Sequence, residues 1–577
     1  MPEATARWSW DFRSSPEVVW SWISDTARFN RLVGLDPVEI LPRRDGDPAG
    51  LRRLRQRQIG GWVDYTERAY EWERLRHFSV SRHFESGLLR ALHVRSNLEA
   101  VGPGTRMHYQ LRLETRGFWG ALIYRIGLRW VGAKIEKKLR EADARSATSS
   151  VPVSLGATVR WASEGETRLV ALLEEWKKAG ASPAVVERFR NWVSAADEVD
   201  VGSIRPYVLA DLWAFSRKEV LESLLLATRT GLLELRWTIV CPSCRNSTQA
   251  HVRLVELEPH ADCESCQTDF DVDLDRLVEV TFRVHPSVRP TDVAEFCTGG
   301  PGRTPHILAQ KWLAPGEALE VTASEAGDYR ARLLGEQGAA ASRAVAAGEK
   351  ISVCNEGSEE AVALVERTRW TEQAATAREL LALAKFREFF SAESVRQGAV
   401  FPVGQEVIVF TDLKGSTRLY RDVGDAVAFA KVYRHFGILK DAVEREDGAL
   451  VKTIGDAVMA VFHSPVQALR AFVAAHRAIH AMDDSSIVLK VGAHKGPCLV
   501  VDLNGRPDYF GTTVNLASRL EGLSTGGDVV LTREFLEDAD VRSWLAAEGA
   551  RYAQEEIEAK LKGFEDRPEK LVRLRLL

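Results

Sequence analysis

The 577-residue sequence contains no run of eighteen or more apolar residues, so it offers no candidate for a membrane-spanning helix. Its opening, MPEATARWSWDF, lacks the basic stretch and apolar core of a secretory leader, and a soluble, cytoplasmic chain is expected. Charge of one sign is lacking too. The formal net charge of -4 gives no electrostatic case for a nucleic-acid partner. Cysteine is scarce, with seven in the whole chain. Cys297, Cys354 and Cys498 stand alone and read as packing residues, while the other four form two CxxC pairs. Paired thiols in a reducing compartment suit a metal better than a disulfide framework.

What is present is length, more than one hydrophobic core usually serves, and roughly three to five domains are the expectation. Residues 1–150 read as one α+β unit: a helix opening at Pro16, alternating strand-like stretches such as RHFSVSRHFES and TRMHYQLRLETRG, then a long helical pattern from GFWGALIYRIG onward. This order, with the PEVVWSWISD opening, resembles the helix-grip domains of lipid-transfer and polyketide-cyclase folds. The resemblance implies a curved sheet wrapped around a long C-terminal helix and a cavity for a hydrophobic small molecule. Trp8, Trp10, Trp20 and Trp22 either line such a cavity or are core aromatics.

Residues 151–240 are mostly helical and end in the helix, turn, helix, strand rhythm of a winged-helix module. Its second helix, RKEVLESLLLATRTG, holds too few basic residues for a major-groove reader. In residues 241–275, CPSC at Cys241 and Cys244 and CESC at Cys263 and Cys266 match the paired knuckles of a zinc ribbon. Four thiolates would fill a tetrahedral site and leave no position open for catalysis. Residues 276–360 alternate like short antiparallel strands with glycine-rich turns, and His285, Arg303 and His306 read as packing or surface groups within that small β module. Residues 361–400 read as a helical connector whose apolar stripe is available to a second copy.

Residues 401–577 carry the chemistry. A buried strand, EVIVFTDL, ends on Asp412, and Asp456 lies in the hairpin turn of KTIGDAVMA, where Gly455 permits the tight bend. If those strand ends are neighbours, their carboxylates can share a pair of Mg²⁺ ions. Between them LKGST places Gly415, Ser416 and Thr417 at a helix start, a cradle for a triphosphate.

The segments FTDLKGST, VKTIGDAVMAVF and DYFGTTVNLASRLE resemble the catalytic domain of class III adenylate and guanylate cyclases. The resemblance implies that Asp412, Asp456 and the carbonyl of Leu413 bind two Mg²⁺ or Mn²⁺ ions. It implies that Lys452 and Asp508, four before Asp456 and seven before Asn515, recognise adenine. Asn515 would orient the ribose, Arg519 would stabilise the transition state, and Lys562 would reach the triphosphate. It further implies a head-to-tail homodimer in which each site draws its metal aspartates from one copy and its Lys, Asp, Asn and Arg from the other. One departure is KGST, where many cyclases have Phe before the Thr and this chain has Ser416. The expectation is a multidomain α+β adenylate cyclase, regulated by its N-terminal modules, that makes cyclic AMP from ATP. The alternatives are a nucleotide-binding scaffold without turnover and a cyclase of relaxed base choice that also makes cyclic GMP.

Overall fold

A computed structural model of the chain describes residues 3–42, 44, 46–58, 61–146, 159–242, 245, 247–263, 268–291, 294–334, 342–368, 374–482, 487–548 and 551–576. In the N-terminal unit, strands Glu3–Phe12, Gly104–Thr115, Leu89–Val101 and His77–Phe84 pair in that order as an antiparallel sheet. Their alternating burial follows the period-two pattern of sequences such as HFSVSRHF. The helix Phe118–Ser146 lays Leu128, Ile135 and Leu139 onto the first two strands. It approaches closely where Gly132 faces Trp8: a Cβ there would lie 2.3 Å from the indole. Trp10, Trp20 and Trp22 are buried in the same core and Trp8 stacks on Trp10, so all four act as packing aromatics.

This sheet does not stop at residue 150. Strand Glu71–Glu73 pairs with Ile307–Leu313, which continues through Ala361–Arg367 and Gly327–Leu333 to Arg343–Val345. The N-terminal unit and the small β module therefore share one hydrogen-bonded sheet. The expected helical connector over 361–400 is corrected at its start, because Ala361–Arg367 is a strand buried on both faces. Its continuous apolar run, AVALV, suits a two-sided central strand. Among the described residues the rest of the connector contains the short helices Ala377–Leu381 and Ala384–Phe389. His306 lies in this region, buried 3.7 Å from Glu366, and burial pushes its imidazole down to about 3, as befits a packing histidine.

Helices Gly165–Lys178, Pro183–Ala195, Pro206–Trp213 and Arg217–Arg229 form the next layer, followed by strand Leu233–Val240, which pairs with Val278–Val284. Cys241 and Cys263 are buried together in a small cluster with Phe270 and Leu334. Cys244 and Cys266 lie outside the described residues. Arg28 and Arg31 tie the N-terminal unit to this layer through Asp200 and Asp197.

The C-terminal domain runs strand, helix, strand, strand, helix, strand: Val400–Leu413, Asp425–Arg445, Ala449–Ile454, Ala457–Phe462, Pro465–His480, Leu489–Leu503. The four strands are ordered second, third, first, fourth, the ferredoxin-like arrangement, and Asp528–Thr532, Phe564–Leu576 and Tyr552–Leu561 extend the sheet beyond the fourth. One face carries Val407, Val409, Ala460 and Phe462 under the helices Asp425–Arg445 and Pro465–His480. The other turns Ile408, Met459, Val461 and Val500 into a core that runs unbroken into the helical layer and Phe386.

One buried ion pair ties these regions together. Arg378 donates to Glu406 (2.8 Å), Asp275 (3.2 Å) and the carbonyl of Gln405, and Glu406 is 0% exposed. Arg378→Met would leave the buried Glu406 carboxylate without its guanidinium, with the His463 imidazole at 3.0 Å as its remaining side-chain partner among the described residues, a loss of about 3 kcal/mol. A clear drop in Tm is expected by scanning calorimetry, and an unchanged Tm would refute this account.

Candidate active site

Asp412 stands one residue before the end of strand Val400–Leu413, and its cross-strand partner is Lys490. Asp456 occupies the turn between Ala449–Ile454 and Ala457–Phe462, with Gly455 at φ +66°, a left-handed geometry that favours glycine. Because the hairpin is hydrogen-bonded to strand Val400–Leu413, the turn brings Asp456 within hydrogen-bonding reach of Asp412. Burial, then the Asp456 charge, then Glu521 push the Asp412 carboxyl up to about 6, although the Leu413 backbone N–H donates to it. Oδ2 of Asp456 is buried and has no hydrogen-bond partner among the described residues. Two adjoining carboxylates with an unpartnered buried oxygen form a donor set that fits a divalent cation.

Lys490 and Glu521 also belong to this end of the sheet. Lys490 Nζ lies 3.9 Å from Asp412 Oδ2 and pairs with Glu521 at 2.5 Å. Neither was singled out by the sequence. The available signal was Lys490 within the apolar stretch IVLKVGA and a second charge, Glu521, beside Arg519 in ASRLEGL. Glu521 closes the helix Thr512–Glu521, which presses on strand Leu489–Leu503 where Gly492 has no side chain; a Cβ there would meet the Glu521 amide nitrogen at 2.1 Å.

Lys452 and Asp508, from strands Ala449–Ile454 and Arg506–Phe510, meet in an ion pair. Asp508 is buried and its other oxygen accepts the Tyr509 backbone N–H at 2.8 Å. On the helix Thr512–Glu521, Thr513, Leu516, Ala517 and Leu520 face inward, while Asn515 and Arg519, one turn apart, face solvent. Among the described residues no hydrogen bond or ion pair joins either to Asp412 or Asp456. Gly415, at φ +72°, caps the helix Ser416–Val423, whose first turn holds Ser416 and Thr417. Lys562 is exposed at the turn between Tyr552–Leu561 and Phe564–Leu576, and among the described residues no hydrogen bond or ion pair joins it to the other candidates.

Three buried histidines support this domain. Burial pushes His435, His476 and His494 each down to about 4, from an ordinary value of 6.5. Between pH 6.5 and 4 the unfolded chain takes up protons that these folded imidazoles refuse. Their stabilising contribution is therefore complete above 6.5 and is lost as the pH falls toward 4. Tm should drop across that window, and a flat Tm from pH 7 to 4.5 would contradict it.

Residues 402–567 match the family model described as the adenylate and guanylate cyclase catalytic domain, and residues 167–296 match a family of unknown function, DUF5939. The adenylate cyclase of Lachancea kluyveri is 30% identical over 161 residues, covering 24% of this chain and 9% of that protein. Uncharacterized protein Rv2212 of Mycobacterium tuberculosis is 31% identical over 195 residues, covering 30% of this chain and 50% of that protein. The solved adenylyl cyclase CyaB of P. aeruginosa is 21% identical, with 30% of this chain and 95% of that chain covered at a TM-score of 0.26. The matched segment thus spans half or less of these two curated relatives. The chain carries a C-terminal class III adenylate/guanylate-cyclase-like catalytic domain on a ferredoxin-like scaffold, within a multidomain α+β protein. Among the described residues no helix is long and apolar enough to cross a membrane.

Proposed function

We propose that the protein is an adenylate cyclase, converting ATP to 3',5'-cyclic AMP and pyrophosphate. The observation that carries the choice of base is the meeting of Lys452 with Asp508. Adenine presents an acceptor at N1 and a donor at N6, so an ammonium and a carboxylate side by side complement it, whereas guanine reverses those edges. A site built on such polar groups rejects the mismatched base strongly, because each group would be left unpaired.

Divalent cations held by Asp412, Asp456 and the Leu413 carbonyl would lower the proton affinity of the ribose 3'-hydroxyl and neutralise the triphosphate. Asn515 orients the ribose. Arg519 offers a rigid, permanently charged fork to the phosphorus as the 3'-oxygen bonds to it and pyrophosphate leaves. Gly415, Ser416 and Thr417 bind phosphate oxygens at the helix start, and Lys562 adds a cation to them. The solvent-facing Asn515 and Arg519 fit a head-to-tail homodimer whose sites are completed across the interface. A structural Zn²⁺ held by Cys241, Cys244, Cys263 and Cys266 and a hydrophobic effector of the N-terminal unit complete the reading, both acting on how two catalytic domains meet.

The test is product analysis. Purified protein is incubated with ATP or GTP and Mg²⁺ or Mn²⁺, and the cyclic nucleotides are resolved. Cyclic AMP alone supports the proposal. A preference for GTP overturns the base assignment, and nucleotide binding without any product moves the reading to a scaffold.

A further inference from the structure

The helix Phe118–Ser146 packs on the N-terminal sheet through Leu128, Gly132, Ile135 and Leu139. On its opposite side Phe118, Trp119, Leu122, Ile123, Ile126 and Trp130 are all exposed, Trp119 at 74% and Trp130 at 78%. At 100° per residue these six fall within one continuous stripe diametrically opposite the buried face. A helix apolar on both faces ordinarily has both covered. Here one cover, the sheet, is accounted for.

The edges of the bare stripe identify the other. Arg125 and Arg129 flank one side and Lys134 the other, and from Phe118 to Ile135 the helix contains no carboxylate. Among the described residues no acidic side chain pairs with these three. A local charge of three positive groups, on a chain whose net charge is -4, is complementary to an anionic surface. It also argues against a second copy of the same helix, which would set arginine against arginine.

A second element presents the same chemistry at the same end of the unit. Trp62, 56% exposed, is the second residue of strand Gly61–Arg68. Its neighbour Val63 lies 3.3 Å from where a Cβ at Gly87 would stand, and the Leu88 carbonyl lies 3.4 Å from the corresponding point at Gly120 of the helix. Through Val63 and Leu88 the strand that bears Trp62 thus packs at the same end of the unit as the helix start.

We infer that this exposed helix face docks on the surface of an anionic phospholipid bilayer, the aromatic stripe lying at the boundary between headgroups and acyl chains while Arg125, Arg129 and Lys134 meet lipid phosphates and carboxylates. Trp and Phe flanked by basic residues on one helical face are suited to that boundary, where an apolar body and a charged edge are both satisfied. The mode is peripheral, since the opposite face of the helix stays on its sheet. Attraction to anionic lipid falls off within a Debye length, so binding weakens as salt rises.

The test is flotation of the full-length protein with vesicles of phosphatidylcholine alone or mixed equally with phosphatidylserine. We expect at least about tenfold more protein on the anionic vesicles at low salt. Trp119→Glu with Trp130→Glu should lower that binding about tenfold or more, and Arg125→Gln with Arg129→Gln should erase the preference for phosphatidylserine. All four positions are exposed, so far-UV circular dichroism should be unchanged in both variants. Failure of the wild type to float at low salt would overturn the proposal, as would equal flotation of the tryptophan variant. So would a concentration-dependent dimer that the tryptophan variant disperses without any vesicle binding, which would assign the face to a second copy.

Discussion

Asp456→Asn is expected to reduce ATP turnover by about 10³-fold or more while raising the thermal stability of the metal-free protein. Both effects have one cause. Oδ2 of Asp456 is buried without a hydrogen-bond partner among the described residues, and the carboxyl lies within reach of Asp412. Burial and that neighbouring charge hold Asp412 up to about 6 instead of 3.8. In the free protein the two carboxylates therefore destabilise each other; a cation would reverse the sign of that interaction. An asparagine amide preserves the shape and donates a hydrogen bond to Asp412, so folding gains. The same change removes a negative charge from the set proposed to hold the metal, and electrostatic contributions of that kind are worth about 10²–10³-fold even for a single neutral donor.

The pH dependence follows from the raised value of Asp412. Its carboxyl binds a proton more readily folded than unfolded, so the folded chain is relatively favoured below about 4 and loses that advantage as pH rises through about 6. The gain in Tm from Asp456→Asn should therefore be largest above pH 6 and disappear toward pH 4. Scanning calorimetry in chelator, beside turnover assays in Mg²⁺, separates the two outcomes. A variant that keeps its turnover, or loses stability at pH 8, contradicts the account.

The strand end that bears Asp412, the glycine hairpin that bears Asp456 and the helical turn between Asn515 and Arg519 were legible in the sequence, because each is a short motif whose neighbours constrain it locally. Lys490 and Glu521 were not. The two lie 31 residues apart, and their pairing depends on a helix crossing a strand at Gly492. Local patterning carries no record of that crossing.

The same limit explains Ala361–Arg367. A short apolar run reads equally as strand or helix until its hydrogen-bond partners are known, and its partners are Ile307–Leu313 and Gly327–Leu333. The sheet shared between Glu71–Glu73 and Ile307–Leu313 bridges more than two hundred residues of sequence, so modules separable by composition proved continuous in hydrogen bonding. The face of the catalytic sheet that carries Ile408 and Met459 was equally opaque. Its apolar positions announce burial but not that the cover comes from a separate helical layer.

Mixing two inactive chains should restore activity. Asp412→Ala and Arg519→Ala are each expected to lower turnover about 10²-fold or more by removing charge from the reacting phosphate's surroundings. Within one chain Arg519 faces solvent, and among the described residues no hydrogen bond or ion pair joins it to Asp412 or Asp456, although the helix that bears it reaches their neighbour Lys490 through Glu521. On the proposed reading each site takes its two halves from different chains. In a head-to-tail pair formed from the two variants, one site combines both lesions and the other combines Asp412 of the arginine variant with Arg519 of the aspartate variant, and is intact. Random exchange of equal amounts makes half the pairs mixed, each with one good site of two, so on the order of a quarter of wild-type activity should return. Activity should rise with the time allowed for exchange and with total concentration. If the mixture shows only the sum of its parts although sedimentation demonstrates exchange, the site is completed within one chain, and the proposed geometry of the pair is wrong.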